Sequence, residues 1–168
     1  MVIQPRGVGG EKDLFNLLQA LVNRTTYGNY RVGTTTTRVR ADAHSFWIKD
    51  QAYTVAAADP VADFDNSFTN LGAGECCRVR LEIDTAGAIT GKQGAIASAI
   101  ALAPIPRRSA NKTTVAIIEI AVAAGFTFGT TAYNAAGVTF RQGDPDLGDG
   151  TGLPPHDRGI SAEVLTGA

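Results

Sequence analysis

Few residues in this chain have the types and spacing that chemistry needs. Cys76 and Cys77 are its only thiols. Neighbours on a strand point to opposite faces, so a bridge between them is disfavoured. What remains open to them is a vicinal redox pair or half a metal site, against the plainer reading of two small buried side chains. His44 and His156 stand far apart in the chain, and neither has a base or carboxylate beside it in a catalytic pattern. A nucleophile needs a neighbouring base and a third group to orient it. The sequence has no GxSxG, no phosphate-binding loop, no HExxH and no dinucleotide fingerprint; Gly7 to Gly10 precede a helical pattern but follow no strand.

Three further groups invite a binding reading. Asp144, Asp146 and Asp149 in DPDLGDG offer carboxylate oxygens on a turn, as calcium prefers. The proline, the extra residue before the third aspartate and the missing glutamate depart from an EF-hand loop, so the segment reads as a solvated acidic turn. Tyr27, Tyr30, Phe46, Trp47 and Tyr53 could form a stacking platform for sugars or bases. Phe46 and Trp47 are adjacent, however, and on a strand at least one of them belongs to the core. Arg107 and Arg108, after Pro104 and Pro106, could meet a partner's carboxylate or simply be solvated. No catalytic, cofactor-binding or metal residue is assigned, and the chain is read as non-enzymatic.

The elements that would carry these residues are mainly strands. Residues 1–10, with Pro5 and several glycines, read as an extended arm. Over residues 11–24 Leu14, Phe15, Leu18, Leu21 and Val22 recur at helical spacing, with Glu11 and Asp13 at the start and Arg24 at the end to suit the helix dipole. Residues 25–142 turn to threonine, β-branched and aromatic residues broken by glycine, the chemistry of a β domain. Thr35 to Ala41 alternates. Ser45 to Ile48 and Tyr53 to Ala57 form a hairpin around Lys49 to Gln51.

Cys77 to Asp84 alternates strictly, with Val79, Leu81 and Ile83 on one face and Arg78, Arg80, Glu82 and Asp84 on the other, which predicts a sheet with one wet face. A turn at Asp84 to Gly87 leads into a return strand at Ala88 to Thr90. Gly94 to Ala103 fits a short helix or a buried strand, ended by Pro104 and Pro106. Val115 to Val122, apolar except at Glu119, predicts a central strand covered on both faces. Val138 to Arg141 is the last strand. Residues 143–168 begin with a run rich in glycine, proline and aspartate that has little to bury, and read as a loop and tail reaching across a neighbouring subunit.

Bulk properties set the remaining bounds. The 168 residues suit one domain. Much of the 44% hydrophobic content is alanine, which predicts a thin core and stability gained by self-association. Fifteen basic and sixteen acidic residues leave a formal charge of −1, which gives no reason to expect nucleic acid or an anionic membrane as partner. The amino-terminal residues lack the apolar run of a signal peptide and no stretch approaches the roughly 18 to 20 apolar residues of a membrane span, so synthesis in a cytoplasm is expected.

The segment order SFWIKDQAYTVAAADP, RVRLEIDTAGAIT, AIASAIALAPIP, TTVAIIEIAV and GTTAYNAAGVTFRQG, over Ser45 to Gly143, resembles that of tailed-bacteriophage virion proteins, namely capsid decoration (cement) proteins and head or tail fibre modules. The resemblance implies an antiparallel β-sandwich or barrel-like domain, usually trimeric, on the exterior of a shell of major capsid protein. It implies a role in stabilising the head. The alternatives are a receptor-binding fibre module and, further off, a small hydrolase.

Overall fold

The computed structural model describes residues 28–49, 51–61 and 63–142. The predicted arm (1–10), helix (11–24) and tail (143–168, with Asp144, Asp146, Asp149 and His156), like Tyr27, lie outside the described residues. Among the described residues there are eight strands, all antiparallel, and no helix.

The strands are β1 (Arg31–Val32), β2 (Val39–Arg40), β3 (His44–Ile48), β4 (Gln51–Val55), β5 (Cys77–Ile83), β6 (Ile89–Gln93), β7 (Thr113–Ile120) and β8 (Val138–Gln142). They make two ribbons, β1-β2 and β3-β4, and a four-stranded sheet in the order β6-β5-β7-β8. The predicted hairpin is present, with Ile48 paired to Gln51 and Lys49 at a φ of 51° in the turn, as two-residue hairpin loops require. β7 takes the predicted central place and is buried along almost its whole length. The strand expected over Thr35 to Ala41 shrinks to Val39–Arg40. Its threonines turn instead: Gly33 N donates to Arg38 O, Arg38 N to Thr35 O, and Thr34 bonds the Asp59 carboxylate through both its amide and its hydroxyl.

One face of the large sheet builds the core. Cys77, Val79, Leu81 and Ile83 of β5 stand opposite Ile120, Ile118, Ala116 and Thr113 of β7. A bulge between Leu81 and Glu82 leaves Val115 outside the register and turns it into the same apolar cluster. Against this face pack Phe46 and Ile48 of β3 and a group of aromatic rings from the connecting loops. Phe126 lies 5.2 Å from Phe128 and 5.3 Å from Tyr133, and Phe68 meets Phe128 edge to face at 5.2 Å. Such rings bury large areas each, so a few of them compensate for alanine elsewhere.

The other face corrects the sequence reading. Arg80 is 2% exposed and Glu82 fully buried, so the polar side of β5 is not wet. Its cover is the connection between β6 and β7. That connection is neither helix nor strand: it makes one bridge, Ala97 to Cys76, and then turns through Leu102 N to Ala99 O and Ala103 N to Ile100 O. Small side chains let its backbone lie close to the sheet, where Ala103 O accepts from Arg78 Nη1 at 2.6 Å and Ser109 N donates to Glu82 Oε1 at 2.7 Å.

Candidate functional site

Among the described residues, those singled out for chemistry are scattered, and the cysteines and His44 have structural partners. Cys76 and Cys77 are both free and buried. Cys77 joins the core while Cys76 Sγ contacts Ala97 O at 3.1 Å, and burial raises the Cys77 thiol above its ordinary pKa. A buried thiol held protonated is a poor nucleophile and a poor metal ligand. His44 has partners that sequence spacing could not show. Its Nδ1 donates to Asp42 O at 2.9 Å, and its Nε2 faces the Tyr30 hydroxyl at 3.3 Å. Tyr30 and Phe46 are core residues, Phe46 stacks on Tyr53 at 5.4 Å, and Trp47 stands half-buried on the opposite side of its ribbon. The aromatic platform is therefore divided between two faces.

Asp65 is buried, and its carboxylate accepts from Tyr133 Oη at 2.9 Å and meets Arg38 at 3.5 Å. Desolvation, and then the Asp65 charge, raise the Tyr133 hydroxyl pKa above its ordinary 10. This pair ties two loops together across the core. No group of three or more histidine, cysteine or acidic side chains with metal-binding geometry occurs among the described residues.

The surface with most organisation is the covered face of the large sheet and the connection that lies on it. Register fixes a row across four strands, Lys92, Arg80, Ile117 and Arg141, because residues directly opposite in antiparallel strands share a face. In the next row Glu119 bridges two cations, with Arg78 Nε at 2.8 Å and Arg141 Nε at 2.9 Å. Lys92 Nζ donates to Arg107 O at 2.6 Å and Lys112 Nζ to Thr90 Oγ1 at 2.8 Å, which brings the Arg107 backbone and the Lys112 amine to the same side. Glu82 Oε2 is buried with no hydrogen-bond partner.

Above these charges the connection turns apolar side chains outward. Leu102 is 70% exposed, and Ile96 and Ile105 are also exposed. Sequence reasoning noted the alanines and prolines but missed the outward Leu102, because a segment without period gives no face to read.

A last feature joins the ends of the described body. The Gln142 side chain accepts from Tyr30 N at 2.8 Å and donates to Tyr30 O at 2.6 Å, so Tyr30 and Gln142 lie side by side. No protein-family model, no curated protein and no solved structure matches this chain.

Proposed function

We propose that this chain is a non-enzymatic virion subunit, a capsid decoration or cement protein of a tailed bacteriophage. In this reading the two ribbons and the large sheet form a β-sandwich around the aromatic core. Three copies assemble as a homotrimer on the outer surface of the major capsid protein shell and stabilise the head. The observation that carries the proposal is the exposure of Leu102, with Ile96 and Ile105 also exposed, on a segment pinned to the sheet beneath it. Exposed apolar residues held on a rigid support are what a docking surface needs, since little ordering cost is then charged against binding. Burying one leucine in a partner contributes about 1.5 to 3 kcal/mol, repeated at every copy around a shell. The burial of Cys76 and Cys77 and the hydrogen bonds of His44 support a role carried by surfaces.

The test is quantitation of the protein on purified particles followed by heating. Wild-type particles should carry hundreds of copies, while L102D, a change at an exposed position, should lower occupancy at least about tenfold, and those particles should release DNA at lower temperature. Full occupancy by L102D, or unchanged thermal release from particles lacking the protein, counts against the proposal. A fibre module is the second reading, favoured by half-buried Trp47 on the outer side of β3. A handful of copies per particle would select it.

A further inference from the structure

The two edges of the large sheet differ in what lies against them. At β6 the Gln93 side chain accepts from Thr69 N at 2.8 Å and donates to Thr69 O at 2.7 Å, and Phe64 and Phe68 lie against Gly91, so that edge has the 64–70 loop beside it. β8 has no such cover among the described residues and pairs with β7 alone. Ala121 N donates to Gly137 O, and bonding alternates along an antiparallel ladder, so Thr139 and Arg141 turn their backbone groups to β7. Val138, Phe140 and Gln142 turn theirs outward. Val138 N donates to Ala135 O within the preceding turn, which leaves Val138 O, both groups of Phe140 and Gln142 N without a backbone partner among the described residues. The side chains agree. Val138 and Phe140 pack against the core yet stay half-buried, with the Phe140 ring 6.2 Å from Tyr133, because the core face ends at this strand. On the other face Thr139 and Arg141 are exposed. The usual devices that blunt an edge are missing: β8 has no proline, no lysine and an unbroken register, and its one charge, Arg141, is taken up by Glu119.

We infer that this edge is an interaction surface for β8 of a second copy of the chain, paired antiparallel about a two-fold axis at Phe140. The strand VTFRQ is self-complementary in that register. Phe140 N and O exchange bonds with the same groups of Phe140 in the second copy, and each Gln142 N donates to the other copy's Val138 O. Val138 and Phe140 of both copies then share one face, where they cover each other's open sides and extend the aromatic core. On the opposite face Thr139 stands beside Arg141 of the second copy, so no like charges meet. An axis at Arg141 would instead set arginine against arginine. The contact is isologous and therefore separate from the heterologous seam of a closed trimer, and the inference does not depend on the capsid role.

The experiment is disulfide trapping on the full chain. In this register residue 139 of one copy lies opposite residue 141 of the other in a non-hydrogen-bonded pair, about 4.5 Å apart at Cα and within disulfide range. An equal mixture of T139C and R141C, oxidised in air, should give a dimer band on a non-reducing gel. Either variant alone should not, since its own thiols stand at diagonal positions about 7 to 8 Å apart, and Cys76 and Cys77 are buried in every sample. No dimer from the mixture, or as much dimer from either variant alone, would overturn the inference. Independently, wild type should self-associate in sedimentation velocity. T139R, which sets an arginine opposite Arg141 of the second copy, should raise the dissociation constant of that association at least about tenfold. No self-association of wild type, or an unchanged constant for T139R, would also overturn it.

Discussion

Asp65 shows what a single buried acid requires. Its carboxylate has Tyr133 at hydrogen-bond distance and Arg38 at the limit of it. Y133F removes the better donor and leaves the charge desolvated, so urea denaturation should show a loss of about 1 to 3 kcal/mol. The ionisable residues also set the pH limits of the fold. Hydrogen bonds from Arg31, then Asn29, hold the Asp42 carboxyl at about 2, below its ordinary 3.8. A group depressed in this way stabilises the fold above its unfolded pKa and ceases to do so as pH falls from about 4 towards 2. Tyr133 and Cys77 are raised instead, so their contributions are complete at neutral pH and are lost as pH climbs beyond their ordinary values of 10 and 9. Circular dichroism should show a plateau between about pH 5 and 8, with an alkaline limb starting near 9. In Y133F the alkaline limb should shrink by the Tyr133 share while that of buried Tyr30, whose hydroxyl pKa is also raised by desolvation, remains.

At the scale of elements, periodicity was legible where packing followed it. The alternation of β5, the apolar run of β7 and the turn at Asp84 to Gly87 are all present as read, and Gly87 takes the φ of 80° that such a turn needs. What periodicity could not show is the depth of cover. Arg80 and Glu82 read as wet because their types are polar, yet the β6-β7 connection buries them; Arg80 donates to Thr114 Oγ1 on the neighbouring β7, and Ser109 N of the connection donates to Glu82. Nor was the aromatic cluster visible, since Phe64, Phe68, Phe126, Phe128 and Tyr133 come from loops and meet only after the sheet has formed. β6 contributes its own constraint. A Cβ on Gly91 would lie 2.7 Å from Phe68 Cζ and 3.0 Å from Phe64 O. G91A should therefore cost about 1 to 3 kcal/mol in denaturant titration, because the rings and backbone of a packed core must shift to admit it. A value near zero would mean that the aromatic cluster is looser than its contacts imply.

For the molecule as a whole, the near-balance of charge in the composition hid the basic excess of residues 76–142, and a low aromatic fraction hid a core in which almost every described ring is used. The partners that the structure gives Cys76, Cys77 and His44 were not legible in the sequence, because they come from residues distant along the chain or from backbone carbonyls. Nor was the surface that the proposed role depends on, because Leu102 stands out through its exposure and not through any spacing. The Gln142 clamp on Tyr30 bears on how the chain could be rewired. Since Tyr30 and Gln142 are held together, a circular permutant that joins the chain near them is feasible. A short glycine-serine linker from residue 142 back to residue 28, with new ends opened at Gly129, an exposed turn whose added Cβ would meet nothing within 4 Å, should give a folded body with the same circular dichroism spectrum. In that permutant, cargo fused at the new ends would emerge at the Gly129 turn, away from the Tyr30–Gln142 contact in sequence.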